Sequence, residues 1–202
     1  AGAVWCWGVN NLGQLGNGST VWVTTPTLVS GLDGGVVSIA VGDYNGCAII
    51  DGGVLKCWGY NLNAACGVGN TTSPQVVPAN VARMDGGVTF VALGSNHGCG
   101  IAGGGVLRCW GDNSYCQIGM GGACSSTKYP IAADVSGLDG GVSTVGIWDK
   151  TSCAIATGGI MKCWGFNAAG QVGNGATAAV TTPVQPTGLD GGIVAFTIGP
   201  YN

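Results

Sequence analysis

Short apolar runs separated by glycine-rich turns recur along the whole chain. The stretch GCAIIDGGVLKCWG places two apolar runs on either side of Asp51-Gly-Gly, a pattern typical of a β-hairpin. A run rich in β-branched residues precedes each hairpin, at 36–42, 88–94 and 142–148, and a fourth run of this kind lies at 193–199. Runs that carry an early proline follow, as edge strands tolerate, at 24–30, 73–79, 129–135 and 181–187. The pattern predicts four short antiparallel strands per unit and almost no helix.

These strands belong to one repeated unit. A CWG motif followed by an asparagine and a Gly-rich loop begins at Cys6, Cys57, Cys109 and Cys163, which gives a period of about 52 residues. Repeat units of this size with four strands each are typical of propeller blades. We therefore predict an all-β fold, a β-propeller repeat region over 1–202 that forms part of a larger propeller or array. Its repeat cores lie near 1–45, 46–97, 98–151 and 152–202.

The cysteines support this strand assignment. Cys47 and Cys57 are symmetric about Gly52, and the pairs Cys99–Cys109 and Cys153–Cys163 are placed in the same way. Residues symmetric about a hairpin turn lie opposite each other, within the Cα separation that a disulfide needs. The spacing predicts three disulfides inside the blades. Cys116 and Cys124 are predicted to join within one loop, whereas Cys66 is either a buried thiol or a partner of one of these two.

Cys6 has no cysteine ten residues before it in this sequence. Three alternatives follow: a longer array supplies the missing strand, a second copy supplies it by strand addition, or four blades close with an irregular seam. We favour the first. Under the first two alternatives Cys6 forms a disulfide with a cysteine beyond this sequence or in another copy.

Composition excludes several functions. Only 7% of residues are charged, the net charge is −3, and the six Lys and Arg form no cluster, which argues against nucleic-acid binding. No apolar run is long enough to span a membrane. Ten cysteines beside one histidine favour disulfides over zinc, and therefore an oxidising compartment, extracellular or at the cell surface.

The motifs resemble a known family. The order CAII or CAIA, then CWG, an asparagine and GQLGNG is similar to the regulator of chromosome condensation repeat, in its cysteine-bearing secreted bacterial form. The resemblance covers nearly the whole chain and implies a β-propeller, usually of seven blades. Family members include nucleotide exchange factors, an inhibitor of β-lactamases and uncharacterised secreted proteins, so the resemblance does not decide the function.

Few residues suggest chemistry. His97, the one histidine, is predicted to be a loop-face residue without a catalytic duty, and no cofactor or metal site is predicted. An Asp-Gly-Gly turn in each unit could hold calcium, but local turn chemistry explains these residues better: Asp33, Asp85, Asp139 and Asp190. Asn17 and Asn70 fit the N-glycosylation pattern.

Seven tryptophans fall into two groups. Four repeat with the CWG motif and are predicted to pack between blades: Trp7, Trp58, Trp110 and Trp164. Three do not repeat and are candidates for a contact surface, together with three tyrosines: Trp5, Trp22, Trp148, Tyr44, Tyr115 and Tyr129.

The sequence thus favours a non-enzymatic, secreted or cell-surface propeller with a structural or adhesive role, such as that of a subunit in an extracellular assembly or fibre. The expected partner is protein, including further copies of the chain. A soluble protein-binding or inhibitor propeller is the second hypothesis, and a guanine nucleotide exchange factor is a remote third.

Overall fold

The computed structural model describes residues 2–199, and the chain forms four consecutive blades of antiparallel β-sheet. Blade 1 holds two strands, β1 (Trp5–Gly8) and β2 (Val23–Leu28). Blade 2 holds β3 (Val36–Val41), β4 (Asn45–Ile50), β5 (Val54–Gly59) and β6 (Gln75–Asn80). Blade 3 holds β7 (Phe90–Leu93), β8 (His97–Ala102), β9 (Val106–Asp112) and β10 (Lys128–Asp134). Blade 4 holds β11 (Thr144–Trp148), β12 (Thr151–Ala156), β13 (Ile160–Gly165) and β14 (Val180–Val184).

Within each four-stranded blade the strands pair in the order in which they occur in the chain. The first strands of neighbouring blades contact each other, β3 with β7 and β7 with β11, so they are the innermost strands. The proline-bearing strands β6, β10 and β14 are the outer edges, and their pairing is interrupted by register shifts. The predicted β-propeller is confirmed, with edge strands where proline is tolerated.

The central hairpin of each blade is a product of local sequence. Gly52, Gly104 and Gly158 sit at its turn with φ of 83°, 76° and 80°, a left-handed conformation that glycine adopts without steric cost. The turn places Cys47 opposite Cys57 in the register of β4 and β5. Blades 3 and 4 repeat this register.

The predicted strand at 193–199 does not form. The run starts like those that lead into β7 and β11, because Ile193 N–H donates to Gly159 O at 3.0 Å, but it forms no ladder. The innermost strands β3, β7 and β11 each pair with the strand that follows, and no described residue follows Gly199. Blade 1 likewise shows two strands of the predicted four.

The core lies between the sheets, and its three clusters are built mainly from the hairpin strands and the turns after the edge strands. Trp58, Trp110 and Trp164 are at most 2% exposed. Trp7 was predicted to pack in the same way, but it is 61% exposed, because no preceding blade covers it in the described part of the chain. None of residues 2–199 belongs to a helix that is both long and apolar enough to cross a membrane.

Candidate binding face

Two sets of loops meet on one face of the propeller. The turn after the first strand of a blade hydrogen-bonds to the start of the long loop after the third strand. In blade 2 Tyr60 N–H donates to Tyr44 O, and in blade 4 Phe166 N–H donates to Lys150 O, both at 2.9 Å. We call this surface the loop face. The Asp-Gly-Gly turns lie at the other end of the strands.

The long loops are held by a buried asparagine after each CWG motif. Asn61 is fully buried, and its amide donates to the Asn70 and Thr72 carbonyl groups while its Oδ1 accepts from Cys66 N–H. Asn10, Asn113 and Asn167 are also buried, and each accepts a backbone N–H in the same way. This internal bonding replaces secondary structure and positions the side chains of the loops.

A cavity of 620 Å³ lies where the innermost strands end on the loop face. Its polar side chains include Asp43, Ser95 and Asp149: Ser95 Oγ lies 2.7 Å from Asp43 Oδ2 and 3.2 Å from Asp149 Oδ1. Trp148, 44% exposed, borders this cavity and a second one of 270 Å³ that reaches Phe166 and Gln171. Trp148 is therefore the aromatic residue shared by both recesses.

Trp148, Phe166 and Lys150 line the smaller of these two cavities, and Tyr115 contacts Phe166 and Lys150. The Lys150 ammonium group lies 4.8 Å from the centroid of the Tyr115 ring and 3.6 Å from Asp149 Oδ2. Tyr115 and Phe166 meet edge to face, with centroids 5.2 Å apart. Such a group of rings with few charges suits contact with a protein surface, where aromatic side chains contribute most of the binding energy.

The candidate contact residues predicted from sequence do not all come together. Trp148, Tyr44 and Tyr115 lie on the loop face, whereas Trp5, 55% exposed, borders a separate cavity beside β3. Trp22 is 63% exposed in the loop before β2, and Tyr129 packs against the core from β10. Lys150 and Phe166 were not singled out from the sequence. The position of Lys150 directly after a predicted inner strand was the signal that could have identified it.

His97 was predicted to lie on the loop face, and this is wrong. It is fully buried at the start of β8, where its Nε2 lies 2.9 Å from Ser152 Oγ and no described atom bonds to its Nδ1. Burial lowers the pKa of His97 to about 3, although the backbone of Asp149 opposes this in part. An imidazole that stays neutral and sealed from solvent cannot reach a substrate.

Ten cysteines form four disulfides and leave two thiols. Three bonds cross the central hairpins, Cys47–Cys57, Cys99–Cys109 and Cys153–Cys163, and Cys116–Cys124 joins two ends of one loop on blade 3. Cys6 is a partly buried thiol on β1, and Cys66 is a fully buried one. Burial raises the pKa of both thiols, that of Cys66 to about 12, so Cys66 is chemically inert in the folded chain.

The remaining predicted sites are scattered. Asn70 is exposed and Asn17 half-buried, and the side-chain oxygen of each caps the backbone N–H two residues later. Over residues 2–199 no group of three or more His, Cys, Asp or Glu is placed to hold a metal ion.

Comparisons with known proteins agree with the repeat pattern. Two models of the regulator of chromosome condensation (RCC1) repeat match residues 1–49 and 88–117. The ultraviolet-B receptor UVR8 of Arabidopsis thaliana is 28% identical over 175 residues, which cover 85% of this chain and 39% of the receptor. The human E3 ubiquitin-protein ligase HERC2 is 30% identical over 198 residues, 94% of this chain but 4% of the ligase.

Solved structures show the same fold. Prp20p from Saccharomyces cerevisiae, described with binding properties to Gsp1p and histones, has a TM-score of 0.78 at 23% identity, over 91% of this chain and 46% of Prp20p. Human WBSCR16 also has a TM-score of 0.78, at 21% identity over 92% of this chain and 48% of that protein. This chain thus spans less than half the length of these relatives. Taken together, the repeat models and the relatives show that this chain is similar to proteins with the regulator of chromosome condensation repeat, and the solved structures show that it shares their propeller fold.

Proposed function

We propose that this chain is a non-enzymatic, protein-binding propeller of the cysteine-bearing secreted type, with a structural or adhesive role outside the reducing cytosol. The observation that carries the proposal is the disulfide across the central hairpin of each four-stranded blade. The six cysteines of these three disulfides are at most 3% exposed. The expected location is extracellular or at the cell surface.

The disulfides suit such a role physically. Each closes a hairpin with a sequence separation of 10, which stabilises a blade by about 2.5 to 3 kcal/mol in the chain-entropy model. In a reducing cytosol these bonds would not persist, so their benefit is available only in an oxidising compartment. A protein that must last outside the cell gains from this stabilisation in every blade.

Binding rather than catalysis is supported by the loop face. Trp148, Tyr115 and Phe166 offer aromatic contact area, while Lys150 and Asp149 add one charge of each sign. His97, the residue most suited to acid–base chemistry, is neutral and buried. The loop face equally favours the second candidate, a soluble binding or inhibitor propeller, which would use the same residues without joining an assembly.

Substitution of Trp148 tests the binding role. The wild-type chain and Trp148→Ala would be immobilised and exposed to the extracellular fraction of the source cells and, separately, to their cytosol under reducing conditions. We expect the extracellular fraction to yield a retained protein whose amount falls at least tenfold with Trp148→Ala, because a central aromatic anchor is lost. Ile131→Ala is the matched control, since Ile131 is 48% exposed on the outer strand β10, away from the loop face.

Retention by Trp148→Ala equal to wild type would contradict the role of the loop face. Retention from reduced cytosol alone would contradict the proposed location. Equal thermal unfolding midpoints for the three chains would establish that the loss does not arise from unfolding.

A further inference from the structure

The long loop of blade 3 is closed differently from the loops of the other blades. In blades 1, 2 and 4 the buried asparagine after CWG donates, through its side-chain amide, to the backbone carbonyls nine and eleven residues later. These bonds are 2.9 to 3.1 Å long, and their acceptors are Ser19 and Val21, Asn70 and Thr72, and Ala176 and Ala178. We call this pair of hydrogen bonds the amide clamp.

Among the residues that the structure describes, blade 3 lacks the amide clamp. Asn113 keeps one part of the arrangement, because its Oδ1 accepts from Ile118 N–H at 3.1 Å, but its side-chain amide donates to no described acceptor. The residue eleven positions after Asn113 is Cys124, and its disulfide to Cys116 closes the loop. A covalent bond thus takes the place of two hydrogen bonds.

The segment that ends at Cys124 has little else to hold it. Within residues 2–199, no group of 122–124 takes part in a hydrogen bond, and the first two of these residues are exposed. The nearest backbone bonds on either side are Gly121 N–H to Thr181 O, at 2.9 Å, and Ser125 N–H to Asn113 O, at 3.2 Å. Between these two points the disulfide is the one bond that fastens the described loop.

The loop disulfide is also the most accessible of the four disulfides. The six cysteines of the hairpin disulfides are at most 3% exposed, and Cys116 is 2% exposed, whereas Cys124 is half-buried. An attacking thiolate must reach a sulfur atom, so access determines which disulfide reacts, and exposed disulfides are the labile ones. A thiolate from solution can therefore reach this bond while the hairpin bonds remain covered.

The first half of the loop is anchored independently of the disulfide. The Trp164 indole of blade 4 donates to Gln117 O at 2.9 Å. The equivalent tryptophans of blades 2 and 3 bind the loop of the blade before them in the same way. Loss of the disulfide should therefore release residues 120–127 and leave 113–119 in place.

We propose that Cys116–Cys124 is a thiol–disulfide exchange site, which a dithiol reductant opens while the three hairpin disulfides stay intact. One thiolate of the dithiol attacks Cys124 Sγ, the S–S bond breaks, and Cys116 leaves as a thiolate that takes up a proton. The second thiol of the dithiol then attacks the mixed disulfide and releases Cys124 as a thiol. The dithiol is oxidised to a disulfide, and two electrons and two protons pass to the chain.

The exchange changes the rim of the loop face where blades 3 and 4 meet. The Cα atoms of Cys116 and Cys124 are 4.7 Å apart, so the released segment lies beside Tyr115, one of the aromatic residues of the loop face. The closed loop as the resting state rests on the proposed oxidising location. The difference in reactivity between the four disulfides does not depend on that location.

Partial reduction of the purified chain tests the site. The oxidised chain would be treated with dithiothreitol at neutral pH, the new thiols would be trapped by alkylation at set times, and peptide mass spectrometry would locate them. We expect the loop cysteines to be modified on the order of a hundredfold faster than the hairpin cysteines, because a hairpin sulfur is reached only after its blade opens. Cys6→Ala should react at the same rate, since the attacking thiolate comes from outside the chain.

Hydrogen exchange measures the opening of the loop. After selective reduction the amides of Gly121 and Ser125 should exchange about tenfold faster or more, because the segment between them is no longer fastened. The amide of Gly69, which makes the equivalent bond to Pro130 O in blade 2, is the internal control and should not change. The double variant Cys116→Ser, Cys124→Ser should show the same fast exchange without any reductant.

Two results would overturn the inference. Reduction of all four disulfides together, or of a hairpin disulfide first, would show that the loop bond is not the accessible one. Unchanged exchange at Gly121 and Ser125, both after selective reduction and in the serine double variant, would show that other contacts hold the loop. The retention assay with Trp148→Ala reports on partner binding separately, so a failure of the exchange site is distinguishable from a failure of the binding role.

Discussion

At the scale of the residue, burial determines the protonation state of the histidine side chain. Blade 2 places Asn45 where blade 3 has His97, and the Asn45 amide N–H donates to Ala65 O at 3.1 Å, while no described atom donates to its Oδ1. His97 instead meets Ser152 Oγ and stays neutral, because the core gives its charged form no solvation. Blade 3 therefore has a titratable side chain, His97, at the position where blade 2 has the neutral amide of Asn45.

This burial predicts sensitivity to acid. In the unfolded chain His97 binds a proton with a pKa near 6.5, whereas the folded chain holds its pKa at about 3. The unfolded state binds more protons between these values, so the free energy of unfolding falls as the pH drops, by about 1.4 kcal/mol per pH unit below about pH 6. His97→Asn should lack this part of the slope. Urea unfolding of both chains at several pH values between 4 and 7 measures the difference.

The aspartate carboxylates are the same in both chains, so their contribution to the pH dependence of the free energy of unfolding cancels in the comparison. Parallel curves for wild type and His97→Asn would contradict the buried, neutral imidazole. A steeper curve for the variant would contradict it as well.

At the scale of the element, the contact between a loop and the next blade's tryptophan holds the propeller together. Gly67 shows why the loop needs glycine, since its φ is 65° and a Cβ would lie 2.7 Å from the Trp110 ring. Gly69, two residues away, has a φ of 87° but nothing within 4 Å of a Cβ. A comparison of Gly67 with Gly69 therefore separates the cost of the left-handed backbone, which both share, from the clash with Trp110, which only Gly67 would have.

Gly67→Ala should therefore cost more stability than Gly69→Ala. The left-handed backbone costs either alanine about 1 kcal/mol, and overpacking against Trp110 adds about 1 to 3 kcal/mol at position 67 only. Chemical unfolding should give losses of about 2 to 4 kcal/mol and about 1 kcal/mol. Equal losses would show that Trp110 does not fill the space above Gly67.

Much of this element structure could be predicted from sequence because its causes are local. Glycine turns, alternation and the symmetric cysteine pairs define the hairpins without knowledge of distant neighbours. The exposure of Trp7 and the absence of a ladder at 193–199 could not be predicted, since each depends on whether a neighbouring strand or blade is present. The burial of His97 and the meeting of Lys150 with Tyr115 likewise arise from contacts far apart in the chain.

At the scale of the whole molecule, disulfides stabilise the propeller, and we propose on this ground that it works in an oxidising compartment outside the cytosol. Four bonds occupy eight cysteines, and the two remaining thiols differ in access. Cys6 is partly buried, whereas Cys66 is fully buried with its pKa raised to about 12. Alkylation of the native chain should therefore modify Cys6 and leave Cys66 until the chain is denatured.

The most direct test counts thiols in the protein taken from its own cells. Intact cells and medium would be treated with an alkylating agent under denaturing conditions without reductant. The intact mass of the purified chain would then be measured by mass spectrometry. We expect eight cysteines protected as disulfides and at most two alkylated ones, Cys6 and Cys66. Alkylation of all ten cysteines would place the chain in a reducing compartment and contradict the proposed extracellular or cell-surface location.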